Sequence, residues 1–391
     1  MKKFKYITIM LELGFCIALT TGCFPEVKSD SAIDSGENRE ITTNAADDFP
    51  AQITDDSVDK LNIDAKVLLP ENFDINQKIS AATAEYKEWD KDSIVEGISN
   101  GRQILNEDTV ENSEEENPTY VYTFQDDSIL SFTNGDVSYY TQEEVESQYS
   151  YYFDEFENYI DANTLNETFG NKEIEGIQKE DALKSADNIL ELLGVKDSVA
   201  EPSIYSMDVQ SMKNLQKEDG TTDKYGNKVQ TWKEGQEAYF IIYPVLYENI
   251  PSTGMNAIGE NEFISSPKAY FVYGRNGLIT WFVSGITELK ENGNETAIYS
   301  PTEVTDNLKE FFQSIIMDTS VDISLLKLTY IIRNDMDDIN KLTVEPVWLI
   351  YGSYDEEPLG ELEKSALKGK EYISVISAVT GKTVSIASIG G

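Results

Sequence analysis

The residues of this chain that could do chemistry are nearly all carboxylates. Of 391 residues, 71 are Asp or Glu, 31 are Lys or Arg and none is His, for a formal net charge of −40 at pH 7. Without histidine there is no Ser-His-Asp triad, no Cys-His pair and no imidazole switch near neutral pH. Paired carboxylates could serve glycan hydrolysis, which needs two of them at a set separation in different environments. Here the acidic residues fall mostly in runs that read as solvated loops and helix exteriors. The stretch NDMDDIN (334–340) groups Asp335, Asp337 and Asp338, hard oxygen ligands of the kind Ca2+ takes. The EF-hand order fails, because Ile339 and Asn340 stand where a ligand and the turn glycine belong and Pro346 where the closing Glu belongs. EDGTTDKYGN (218–227) fails likewise, which leaves at most weak Ca2+ binding; a hairpin turn explains 334–340 without a metal. Ser365 and Lys368 have the spacing of a Ser-Lys hydrolase, without its supporting motifs and in a polar connection. Neither a P-loop nor a dinucleotide fingerprint is present. No catalytic residue, no metal site and no cofactor is expected, and the chain is read as a non-enzyme.

Two cysteines complete the inventory, Cys16 and Cys23. The chain opens MKKFK, continues YITIMLELGFCIAL and reaches TTGC. A basic start, an apolar run and small residues are the parts of a secretory leader. The run is short and interrupted by Glu12, which argues against a membrane span. Thr21, Gly22 and Cys23 resemble a bacterial lipobox, with Thr20 where that motif usually carries Leu. The resemblance implies removal of residues 1–22, thioether lipidation of Cys23 and acylation (palmitate) of the new amino terminus. Several acyl chains anchor far better than one, at about 0.8 kcal/mol per buried methylene. Cys16 leaves with the leader, so the body has neither disulfide nor thiol site. Its stability must come from a large core, which this length permits. The acidic field repels nucleic acid and anionic lipid. The expected location is therefore the extracytoplasmic face of the cell membrane, lipid-anchored through Cys23. The expected partner is an envelope protein, with no nucleic acid. Arginine is confined to positions 39, 102, 275 and 333, a scarcity that suggests an A+T-rich, Gram-positive source.

The elements that would hold such a body follow from hydrophobic period. Residues 23–58 are polar and acidic and read as a disordered tether. A first module spans 59–170. LNIDAKVLL alternates as a half-buried strand. TYVYTF, SILSF and DVSYY are three β runs separated by Asp126-Asp127 and Asn134-Gly135, and 106–117 reads as an acidic surface loop. From Thr141, with Glu144 in capping-box spacing, a helix carries Val145, Tyr149, Tyr152, Phe156 and Tyr159 on one face. Aromatics at helical spacing are core sooner than a sugar platform, with Tyr151 and Phe153 off the central line. A second unit, 171–295, begins with a helix over 179–194 ending at Gly194, then a short helix over 207–217 and strands at 237–248 and 268–289. A third, 296–391, begins at Ser300, Pro301 and Glu303, an N-cap, first-turn proline and capping box. Strands follow through 384, with a turn at Thr380-Gly381. Trp281 and Trp348 sit inside apolar strand runs and read as core. The whole is an α+β fold: two or three helix-plus-antiparallel-sheet units behind a leader and tether. The second and third units share one plan, which either duplication or a common supersecondary layout explains.

At PVWLIYG and EYISVISAVTGKTV the chain resembles the PepSY and YycH/YycI-like extracytoplasmic modules. Pro346, Val347 and Trp348 match their Pro-aliphatic-Trp strand, and Tyr372 to Val379 with Thr380, Gly381 and Lys382 match their closing hairpin. Leader, tether and body together resemble uncharacterised clostridial lipoproteins, a domain of unknown function. The resemblance covers about residues 175–390 and implies a non-catalytic binding or regulatory module of the envelope. The competing expectations are an envelope enzyme with paired carboxylates and a solute- or cation-binding lipoprotein.

Overall fold

The computed structural model describes residues 46–110, 118–147, 149, 169–214, 233–252, 257–258, 262–265, 267–314, 320–335, 338–354 and 371–386. Cys23 and its leader, the 218–227 loop, Tyr151, Phe153, Asp337, Ser365 and Lys368 lie outside them.

The chain enters as the antiparallel pair β1 (Gln52–Val58) and β2 (Leu61–Leu68). Short β3 (Lys78–Ile79) and β4 (Ala82–Tyr86) lead to helix α1 (Lys91–Ser99). A meander of β5 (Ile104–Val110), β6 (Thr119–Phe124), β7 (Ile129–Thr133) and β8 (Asp136–Tyr140) follows. Then come α2 (Gln142–Ser147), α3 (Lys179–Leu192), β9 (Ser203–Met207), α4 (Val209–Asn214) and β10 (Ala238–Pro244). The hairpin β11 (Leu246–Tyr247) and β12 (Ile250–Pro251) precedes β13 (Ala257–Ile258) and β14 (Glu262–Ser265). Next are β15 (Lys268–Gly274), β16 (Gly277–Ser284), β17 (Thr287–Asn292) and β18 (Thr296–Ala297). Helix α5 (Pro301–Ser314) leads into β19 (Val321–Asp335), β20 (Asp338–Tyr354), β21 (Glu371–Ser377) and β22 (Thr383–Ile386).

Among the described residues 50% are in strands and 21% in helices, and the α-helices number five and are short. The α+β expectation is thereby corrected: this is a β-rich fold. Single helices of 9 or 14 residues serve whole meanders, while the apolar runs near the C-terminus extend to strands of 15 and 17 residues.

Two sheets hold most of the strands. The first has eight strands in the order β5-β6-β7-β8-β16-β15-β10-β9. Its halves are two helix-then-meander units, α1 with β5–β8 and α3 with β9, β10, β15 and β16. They join edge to edge where Trp281 pairs with Tyr139 and Val283 with Val137. The second has ten strands, with the path β1-β2-β19-β20-β21-β22. There α5 and β19–β22 repeat the same plan a third time. The boundaries at 59–170, 171–295 and 296–391 cut across this pairing, because β1, β2 and β4 belong with β19–β22. Likewise the end of the acidic tether is not free chain. Residues 52–58 are β1, held to β2 in register from Gln52↔Lys66 to Val58↔Leu61. Residues 104–110, half assigned to a surface loop, are β5.

Packing follows the periods. In β2 the buried set is Leu61, Ile63, Ala65 and Val67, every second residue. Parallel pairing with β19 lays that set beside Ile323, Leu326 and Leu328 under the Val304, Leu308 and Phe312 stripe of α5. The expected capping box closes α5: the Ser300 amide donates to Glu303 Oε2 at 2.8 Å, and the Glu303 amide donates to Ser300 Oγ at 3.2 Å. On the eight-stranded sheet Ile94, Val95 and Ile98 of α1 and Ala182, Ala186 and Leu190 of α3 share one core with Phe124, Leu130, Tyr139 and Trp281. Tyr86 links the two sheets. Its ring lies against Gly135 in the β7–β8 turn, where φ is +72°, and its hydroxyl accepts from Asn334 Nδ2 of β19 at 2.9 Å. A left-handed turn residue with no Cβ is what lets that ring approach.

Candidate functional site

An open depression of about 430 Å³ lies at one end of the eight-stranded sheet. Four pieces of chain build it. The β15–β16 hairpin presents Arg275 from a tight Gly274–Gly277 turn, in which Gly277 has φ +112°. The segment before α3 supplies Lys172, Glu173 and Glu175. The ends of β9 and β10 supply Ser206, Asp208 and Glu237.

The cations lining this depression are matched locally. Arg275 Nη2 lies 3.1 Å from Glu237 Oε2, Lys172 Nζ 3.3 Å from Asp208 Oδ2 and Lys179 Nζ 3.0 Å from Glu173 Oε1. Asp208 also accepts from the Ser211 amide at 2.9 Å and the Ser211 hydroxyl at 2.8 Å, which ties it to the first turn of α4. Ser206, fully buried, donates to the Lys172 carbonyl. Tyr239 donates to Glu173 at 3.4 Å and accepts from the Ile174 amide at 2.8 Å. Burial alone would raise the Asp208 and Glu237 carboxyls. The Ser211 groups and Lys172 outweigh it at Asp208; the backbone amides of Glu237 and Gly235 with Arg275 outweigh it at Glu237. Both carboxyls therefore titrate below the ordinary range. A general acid needs the opposite shift. The arrangement fastens loops to the sheet rim and holds its carboxylates ionised.

A second, shallower depression of about 330 Å³ lies on β4, β17 and β20, lined by Thr83, Glu85, Lys290, Glu291 and Lys341. There Lys290 Nζ lies 3.0 Å from Glu85 Oε2. The Glu248 carboxyl is shifted up, raised by burial and then by Glu295, with Oε2 buried and no hydrogen-bond partner. It occupies the β11–β12 turn at φ +47° and lines neither depression.

The residues singled out from sequence are not brought together. Trp281 and Trp348 are 1% and 0% exposed and belong to different sheets, as core. Asp335 and Asp338 face each other as the last pair of the β19–β20 hairpin, the turn expected of that stretch. Among the described residues no group of three or more His, Cys, Asp or Glu is placed to hold a metal ion. Tyr149, from the expected aromatic helix, is fully buried against Phe240 and Met207. The depression itself escaped the sequence reading. Its one signal there was an arginine set between turn glycines in a chain with four arginines.

No family model matches this chain, and no curated protein matches it. Among solved structures it is similar to an uncharacterised protein from Eubacterium rectale, at TM-score 0.56 and 14% identity. The match covers 86% of this chain and 94% of that one, so the likeness extends over nearly the whole neighbour, and it concerns the fold alone.

Proposed function

We propose that this chain is an extracytoplasmic lipoprotein anchored through Cys23, whose folded body is a non-catalytic binding or regulatory module of the cell envelope. The observation that carries the non-catalytic part is the pairing of the cations in the depression at the end of the eight-stranded sheet. Its cations are taken by Glu173, Asp208 and Glu237, and its perturbed carboxyls are shifted down. Substrate entering there would have to break pairs that hold the sheet rim. The anchored part rests on the leader and the small residues before Cys23, and the regulatory part on the resemblance of 346–384 to PepSY and YycH/YycI-like modules. Absence of any apolar helix long enough to span a bilayer among the described residues is compatible with a lipid as the attachment.

The test has two arms in native cells. Palmitate labelling of the chain should be lost in Cys23→Ala, and persistence of the label would overturn the anchor. Cross-linked capture from membranes should recover a defined membrane protein with the anchored form and not with Cys23→Ala. Recovery of nothing specific from repeated captures would overturn the binding role and return attention to hydrolysis assays on envelope glycans.

A further inference from the structure

We infer that β5, the free edge of the eight-stranded sheet, is a docking edge for an extended cationic segment of a partner protein, which would add to the sheet as a ninth strand. The inference names the partner chemistry of the binding role proposed above and rests on that reading for its cellular setting.

Three observations converge on this strand. The first is topology: β5 pairs with β6 on one side, and among the described residues no strand lies on its other side. An unpaired edge presents a row of backbone donors and acceptors to any strand that can meet them. The second is exposed apolar surface. Only three large hydrophobic residues are exposed among those described, and two are consecutive on this edge, Ile104 at 39% and Leu105 at 52%. They fall where the β5–β6 register shifts between Ile104 and Asn106, which leaves Leu105 without a cross-strand partner. A bulge re-aims side chains at a sheet edge, and here it leaves an aliphatic pair uncovered in a chain of strongly polar surface.

The third observation is charge. Glu107 is exposed, Asp108 is half-exposed and accepts from Asn106 Nδ2, and Asp92 of α1 stands nearby. The Tyr122 phenol registers this field: burial raises it, and Glu107 and Asp92 raise it further. The Lys91 ammonium lies over the Tyr120 ring, 4.0 Å from the centroid, and makes no ion pair with Glu107 or Asp108. Like charges directly opposite each other on paired strands are unfavourable. A second copy of this chain pairing through β5 would place its own Glu107 and Asp108 against this pair. Glu107 and Asp108 stand on opposite faces of the strand, so a segment with aliphatic residues beside Ile104 and Leu105 followed by Lys or Arg on both faces instead matches the carboxylates and covers the aliphatic pair. The net charge of −40 would steer such a segment in.

The experiment titrates the detergent-solubilised full-length chain with short synthetic peptides of repeated Val-Val-Lys-Lys (the Lys-Val peptide) or Val-Val-Glu-Glu (the Glu-Val peptide), followed by fluorescence anisotropy. The Lys-Val peptide should bind saturably and weaken as salt is raised, while the Glu-Val peptide should not bind. Leu105→Ser should weaken the Lys-Val peptide by about tenfold. The double change Glu107→Lys with Asp108→Lys should transfer preference to the Glu-Val peptide. Both variants should melt with the parent, since the changed side chains are exposed or half-exposed. Absence of saturable binding would overturn the inference. So would Lys-Val binding unaffected by these variants, which would place it elsewhere on the acidic surface. The two proposals fail separately: a captured partner retained by the Glu107→Lys, Asp108→Lys chain removes the β5 edge and keeps the binding role, and edge binding of the peptide without a captured partner does the reverse.

Discussion

The two large sheets use one plan and close it differently. In the eight-stranded sheet two helix-and-meander units meet through β8 and β16, and both helices lie on the same face. Polar staples pin this half. Arg102 donates to the Ser99 and Ile98 carbonyls, to Asp126 at 2.6 Å, and to Ser128 and Tyr139 at 3.0 Å each, while its guanidinium lies over the Phe124 ring. In the ten-stranded sheet one unit is completed by borrowed strands, with β1–β2 added along β19 in parallel. Its centre is almost wholly aliphatic, with Trp348 among the large side chains it buries completely. The comparison teaches that the meander is not self-sufficient. One copy is stabilised by a second copy, the other by residues from the far end of the chain.

The largest test strikes the borrowed sheet. Trp348 is fully buried, and its Nε1 donates to the Tyr299 carbonyl at 2.9 Å. Trp348→Ala should cost about 4 kcal/mol by urea unfolding, and Trp348→Phe distinctly less, because it keeps much of the ring and loses chiefly that hydrogen bond. A loss under about 1 kcal/mol for Trp348→Ala would mean that the long strands are not where the stability resides.

Next comes the contrast between two arginines. Arg333 Nη1 meets Glu345 Oε2 at 2.7 Å, and Glu345 is 4% exposed. Arg333→Met should cost about 3 kcal/mol, since it leaves that carboxylate buried without its cation, and adding Glu345→Leu should restore much of the loss. Arg102→Lys should cost about 2 kcal/mol, because an ammonium cannot reach carbonyls, carboxylate and hydroxyls at once. Failure of Glu345→Leu to rescue would show that the buried pair sets strand register and does not merely satisfy charge.

Seams between strands come third. At Gly352 a Cβ would collide with the Asp322 carbonyl, which is backbone and cannot yield. Gly352→Ala should force β19 and β20 apart at a cost of about 2–3 kcal/mol, read as faster amide exchange along Val321–Ile323.

The tie between β1 and α5 predicts a pH effect. The Ser57 hydroxyl, then Lys309 at 2.9 Å, then the Ser57 amide hold the Asp55 carboxyl at about 2, below its ordinary 3.8. A depressed folded value means this stabilisation is complete above pH 3.8 and is lost as pH falls through about 2. With partial exposure the effect should be about 1 kcal/mol. Asp55→Asn should remove the same amount at neutral pH and flatten that part of the acid profile; an unchanged profile would detach β1 from the stability of the sheet.

These particulars show what the sequence could carry. Contacts short in sequence were legible: the Asn134-Gly135 and Gly274–Gly277 hairpins, the α3 helix and the Ser300–Glu303 capping box each depend on a few neighbours. Partners far apart were not. Nothing near Tyr139 announces Trp281 across from it, and nothing near Leu61 announces Val321. Edge strands were lost for another reason. β1 and β5 bury few side chains, so QITDDSV and ILNEDTV lack the apolar alternation that marks a half-buried strand. Fold class slipped because helix signals are conspicuous, with caps and stripes, while many of the strands that outnumber them are short or polar. The ion-paired depression needs four separate segments to meet, and no spacing rule reaches that far.

The smallest effect expected is also the one that separates the two sheets most cleanly. Gly97 of α1 faces Leu192 of α3, and a Cβ there would lie 2.7 Å from Leu192 Cδ1. Unlike the carbonyl beside Gly352, that methyl ends a flexible side chain that is only partly buried. Alanine in a helix interior gains about 1 kcal/mol over glycine, and moving Leu192 costs about as much, so Gly97→Ala should change stability by less than about 1 kcal/mol. Chemical denaturation of Gly97→Ala beside Gly352→Ala measures both seams at once. If Gly97→Ala proves as costly as Gly352→Ala, the α1–α3 contact is as rigid as a strand pair. The eight-stranded sheet would then be held by its helices as much as by the β8–β16 seam.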